Sequence, residues 1–189
     1  QQERTISDTF EQTISGETLV DMMDLDMIVG SGGVLSHAPR REQAFRMLVD
    51  SFLPEGITQI SVDSIFMMPQ LGVLSSVHEK AAIEVFNKDC LIRLGTCVAP
   101  VGLQKKGNVV LEYNINDGDN ILSGQLMPGE IKLLKVPYKK VNAIFIPGKG
   151  LDIGMGIDEQ INTNITGGVV GIILDGRGRS PFNLPKDTN

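Results

Sequence analysis

Leu25-Asp26-Met27-Ile28-Val29-Gly30-Ser31-Gly32-Gly33 is the stretch on which the fold turns. Its apolar core has strand length and stops abruptly in a glycine cluster. Val34 to Ala38 bridges to Pro39, which suits a first helical position because its missing N–H would be unpaired there anyway. Arg40 to Phe52 follows, with Arg41, Ala44, Phe45, Leu48 and Phe52 at helical spacing. Strand, glycine turn and helix in this order are the unit with which α/β folds meet nucleotides. Glycine lets a flat ligand or phosphate approach the backbone and exposes its N–H donors. The same unit is also a plain strand-to-helix corner that binds nothing. The local sequence leaves both readings standing.

Working outward, Ile14 to Met23 reads as a short helix before the strand. Pro54-Glu55-Gly56 stops the Arg40–Phe52 helix, and Ile57 to Val62 reads as a second strand. Asp63 closes that strand, where it suits either a ligand contact or a helix cap. Ser76-Val77-His78-Glu79 has capping-box spacing and predicts a helix from Val77 to about Asn87. Leu91 to Val98 reads as a strand.

Composition changes near Pro100. Residues 1–100 hold 7 Gly and one Asn, whereas residues 101–189 hold 14 Gly and nine Asn, which fits hairpin turns. Strands are predicted at Val109–Ile115, Ile121–Leu126, Glu130–Val136, Asn142–Ile146, Gln160–Ile165 and Val169–Leu174. Two domains are therefore expected, an α/β part over 1–100 and a small β-barrel or β-sandwich over 101–189. Asp175-Gly176-Arg177-Gly178-Arg179 closes the last strand and suggests a turn held by charge-assisted pairs, with an anion or partner site as the alternative.

The 189 residues carry 17 basic and 23 acidic side chains, net −6. With no Lys/Arg stripe and no Trp, nucleic-acid binding is not expected. No apolar run reaches the roughly 18 residues of a membrane-spanning helix, and no leader peptide is visible after Gln1. Two cysteines in no metal or redox spacing fit a reducing cytoplasm. His37 and His78 form no metal spacing, and no Ser or Cys sits in a nucleophile motif. No catalytic and no metal-binding residue is therefore expected. Gly148-Lys149-Gly150 and Gly154-Met155-Gly156 fall short of phosphate-binding motifs and read as turns.

Four stretches taken in series resemble one family. They are Ile28 to Leu35, Leu71-Gly72-Val73-Leu74, Leu94 to Gly102, and Gly167 to Arg179. Their order is similar to the C-terminal part of the MutL/GlmL family of glutamate mutase accessory proteins, which is distinct from the mismatch-repair protein of the same name. The resemblance implies part of an actin-like (ribonuclease H-like) ATPase lobe followed by the β-rich part. It also implies a role in reactivating or chaperoning an adenosylcobalamin-dependent mutase, whose subunits would be the partners. By this resemblance Gly30, Ser31, Gly32, Gly33, Val34 and His37 are the candidate cofactor-binding residues, with ATP or ADP, and Mg with it, in the intact parent. The family's phosphate hairpin and second phosphate-binding half have no counterpart here, nor does the lobe that would carry them. The expectation is thus a piece of a longer protein that binds nucleotide weakly and does not hydrolyse it. The alternative is a non-catalytic interaction module.

Overall fold

A computed structural model describes residues 20–102 and 104–179. The helix expected over Ile14 to Met23 lies mostly outside these. Its last residues enter a single 3-10 turn, Met22–Asp24, whose Met23 N–H donates to the Asp21 carboxylate at 2.9 Å. β1 (Met27–Gly30) runs through the glycine turn into a one-turn helix α1 (Gly33–Ser36) and then α2 (Arg41–Phe52). β2 (Gly56–Asp63), the long α3 (Met68–Val85), a π-turn (Phe86–Cys90) and β3 (Leu91–Ala99) follow. The remaining strands are β4 (Leu111–Asn116), β5 (Ile121–Leu126), β6 (Ile131–Leu134), β7 (Lys140–Pro147), β8 (Ile161–Thr166) and β9 (Gly171–Asp175).

Two sheets form. One has the order β1-β2-β3-β9-β6, with β1 parallel to β2 and β3 parallel to β9; the other is antiparallel, in the order β5-β4-β7-β8. All six strands predicted after residue 100 are present. The division expected at residue 100 does not divide the sheets, because β9 and β6 complete the sheet that β1 to β3 begin. The reason is in the strand composition. Every residue of β9 is buried, since Ile173 faces the helix layer while Ile172 and Leu174 face the second sheet. A short strand apolar on both faces belongs at the centre of a sheet.

Three layers result: α2, the five-stranded sheet, and the four-stranded sheet. Ala44, Phe45, Leu48 and Val49 of α2 pack on Ile60, Leu94 and Ile173. The predicted helical row is thus real up to Leu48, after which Val49 turns inward and Phe52 stands 52% exposed. On the other face Val98, Ile172 and Leu174 share a core with Leu111, Ile115 and Phe145 of the second sheet, so the two sheets pack face to face. Cys97 is enclosed in the helix-side core, and burial pushes its thiol up to about 12, so it stays protonated and inert.

α3 differs from its sequence reading. It begins at Met68 and continues through Ser76, whose hydroxyl donates back to the Val73 carbonyl at 2.7 Å. The expected capping box at Ser76 and Glu79 is not formed. The helix instead breaks at His78 (φ −151°, ψ 74°), and His78 Nδ1 accepts from the Ala81 N–H at 3.2 Å. An imidazole at a kink here does the work expected of a serine two residues earlier.

Candidate functional site

Because β1 and β2 are parallel with Gly30 opposite Val62, the glycine turn and Asp63 emerge at the same sheet end. The carboxyl ends of parallel strands are where open α/β sheets place ligands. Gly32 takes φ +117°, which a side chain would strain, and its carbonyl accepts from Leu35 N (3.1 Å) and Ser36 N (2.9 Å) to start α1. Ser36 is buried and its Oγ donates to the Asp63 carbonyl at 2.7 Å. Asp63 itself is fully buried. Its carboxylate accepts from the backbone N–H groups of Met68 (3.1 Å), Ile65 and Met67 (both 3.3 Å), with Ser31 Oγ at 3.5 Å. Of the two uses open to Asp63 in the sequence, the helix-start cap is the one its hydrogen bonds make. It thereby ties the glycine turn to the first turn of α3.

The six candidate residues separate into three kinds. A Cβ on Gly30 would meet Leu35 Cδ1 at 2.7 Å and Leu48 Cδ2 at 2.8 Å, so the space beside Gly30 is filled by apolar packing. Gly32 and Gly33 have nothing within 4 Å of an added Cβ and face open space. Ser31, Val34 and His37 are exposed around them, with Val34 at 76%. The His37 N–H caps α1 on the Gly33 carbonyl at 2.9 Å.

Next to the open glycines lies a cavity of about 490 Å³ with Val34, Ala38, Pro39 and Met47 as its apolar lining and Gln43, Arg46 and Asp50 as polar groups. Sequence reading missed the contribution of α2. The signal was there as a second row, Gln43, Arg46, Met47 and Asp50, beside the buried one.

The Asp175 turn is a second cluster of charges, and both of its arginines are engaged. Arg177 Nε and Nη2 donate to Asp175 at 3.0 and 2.7 Å, and Nη1 pairs with Asp50 at 2.7 Å. Arg179 Nη2 donates to Asp175 at 2.9 Å and Nε to the Pro54 carbonyl at 2.9 Å. This turn ties β9 to α2 and to the start of β2. Among the described residues no three His, Cys, Asp or Glu side chains converge as a metal site, and no helix is long and apolar enough to cross a membrane.

The profile of one protein family, described as MutL protein, matches residues 4–90, a span that includes β1, the glycine turn, α1, α2, β2 and α3. No curated protein and no solved structure matches the chain.

Proposed function

Residues 4–90 belong to the MutL protein family, the accessory family of glutamate mutase, and from that we propose that the chain is part of an actin-like ATPase. In this reading the whole protein reactivates or chaperones an adenosylcobalamin-dependent mutase in the cytoplasm. One observation carries it: a parallel strand ends in a turn whose Gly32 and Gly33 stand open beside an apolar cavity. A flat base fits such a surface, with Gly32, Gly33 and Val34 against it and Gln43, Arg46, Ser31 and His37 at the edges. The Gly30 niche does not take part, because Leu35 and Leu48 occupy it. Asp63 places a carboxylate behind the turn, which opposes a phosphate there, so the nucleoside end of ATP or ADP is what this turn meets. When bound, the phosphates and their Mg would lie away from this turn, and no residue of this chain is assigned to hold them. ATP, when bound, supplies a phosphoanhydride whose cleavage can drive a conformational change. The residues of this chain bind and orient, and none is assigned a catalytic role.

The test is an ATP titration followed by backbone amide chemical shifts, which register weak binding. Shifts are expected at Ser31 to Leu35 and around the cavity, with saturation in the millimolar range. Gly33→Val fills the open space without backbone strain, because Gly33 lacks a positive φ. It should weaken ATP at least about tenfold while leaving the melting temperature in place. Unchanged affinity in that variant would refute nucleotide contact at the turn.

A second reading, a non-catalytic interaction module, is favoured by α3. Only Leu71 and Ala82 of its 18 residues are buried, while Val73 and Val77 stand 74% and 82% exposed. An apolar helix this open needs cover from a partner. Retention of a glutamate mutase by the protein in the absence of any nucleotide effect would favour this reading.

A further inference from the structure

The five-stranded sheet is wider than the sheet that covers it. β8 lies over β3, where Thr96 Oγ1 donates to the Thr166 carbonyl at 2.7 Å. β2 and β1 continue past β8, and among the described residues no strand covers them on that face. The step encloses about 350 Å³, with Met27, Ile57, Gln59 and Thr96 as its floor and β8 as its wall.

That wall is an unpaired strand edge. Gly167 N donates to the Lys139 carbonyl at 3.1 Å, and antiparallel pairing has a period of two. Ile161, Thr163 and Ile165 therefore point their backbone groups at β7, while Asn162 and Asn164 point theirs at the open step, as does Thr166, whose carbonyl is already taken by Thr96 Oγ1. The edge has none of the usual guards, since Ile161 to Thr166 contains no charge and no proline. Strands sit about 4.8 Å apart, so an overhang of two strands has room for one or two more.

We propose that this step binds an extended polypeptide segment of a partner protein, added beside β8 as a fifth antiparallel strand. A second copy of the chain does not fit. Pairing β8 with another β8 about a two-fold axis would drive the overhanging β1 and β2 of each copy into the space needed by the other. Charge states the chemistry further. Asp26 lines the step and Asp24 lies two residues before it, while Asp158 and Glu159 sit in the loop after Asp152 that leads into β8 and packs near Met23. All four are exposed, and among the described residues none is in an ion pair. An antiparallel strand beside β8 ends where β8 begins, next to Asp158 and Glu159, so the segment carries Lys or Arg at its C-terminal end. Its alternate side chains are apolar, facing Met27 and Ile57, and uncharged polar, beside Asn162 and Asn164.

The probe is a fluorescent eight-residue peptide of alternating threonine and valine that ends in lysine, titrated into the full chain by anisotropy. Saturable binding is expected, with hydrogen-exchange protection gained at Asn162, Asn164 and Thr166. A proline-containing version, or one ending in glutamate, should bind at least about tenfold more weakly. Asn164→Pro should abolish binding. Because proline can disturb folding, Asp26→Lys, at an exposed position, provides the second variant and should weaken binding several-fold at unchanged melting temperature. The proposal is overturned by absence of saturable binding, by equal binding of the proline peptide, or by protection away from β8. It is equally overturned if the chain dimerises through β8.

Discussion

Asp175→Ala should destabilise the protein by about 3–5 kcal/mol, read as a lowered urea midpoint. Asp175 is fully buried and accepts from Arg177 Nε, Nη2 and N and from Arg179 Nη2, at 2.7 to 3.1 Å. Arg179 is only 7% exposed, so truncating its partner leaves an unpaired cation inside the protein. Burial acts to raise the Asp175 carboxyl, but hydrogen bonds from Arg177 and Arg179 outweigh it and hold the group below the ordinary carboxylate value. A depressed folded pKa contributes stability that is present above about pH 4, the unfolded value, and is lost as pH falls through the folded one. Acid titration of stability should therefore fall less steeply below pH 4 in Asp175→Ala than in the native protein. Equal slopes would show that folding does not depress the pKa of this carboxyl.

Gly95→Ala is the second large effect, about 4 kcal/mol or outright failure to fold, from positive-φ strain and overpacking together. Gly95 has φ +149° at the point where β3 shifts register against β2, and a Cβ there would overlap the Gly171 carbonyl oxygen of β9. The contact lies at the junction between the two halves of the chain. Gly72→Ala is the control, since that helical glycine has nothing within 4 Å of an added Cβ. It should be neutral or stabilising by up to about 1 kcal/mol. Thermal melting of the two variants side by side distinguishes a close-approach glycine from an incidental one.

The local elements were legible in the sequence because periodicity is a local signal. The glycine turn, the α2 row through Leu48, and six strands after residue 100 could all be read this way. The strand partners were not. β3 pairs with β9 at Gly95 and Gly171, a separation along the chain that no periodicity encodes. Asparagine is a turn signal only in its overall count, and of those on strands only Asn116 reads as part of a break. Asn114, Asn116, Asn142, Asn162 and Asn164 lie on strands rather than in turns, with Asn142 Nδ2 donating to Asn162 Oδ1 at 2.8 Å. At the candidate site, the open glycines were visible in sequence, but the filling of the Gly30 niche by Leu35 and Leu48 was not. Which side of a turn a leucine folds over depends on tertiary packing, and so does the bond from Ser36 to Asp63.

β9 carries one last consequence, for the order of events during synthesis. This interior strand of the larger sheet is the latest of its members to leave the ribosome, after both of its neighbours, β3 and β6. Until it arrives, those neighbours are held apart with two unsatisfied borders and an exposed greasy gap. High contact order of this kind slows folding and lengthens the interval of aggregation risk. A nascent chain halted before residue 171 should therefore stay bound to holding chaperones, and one extended past residue 175 should let them go.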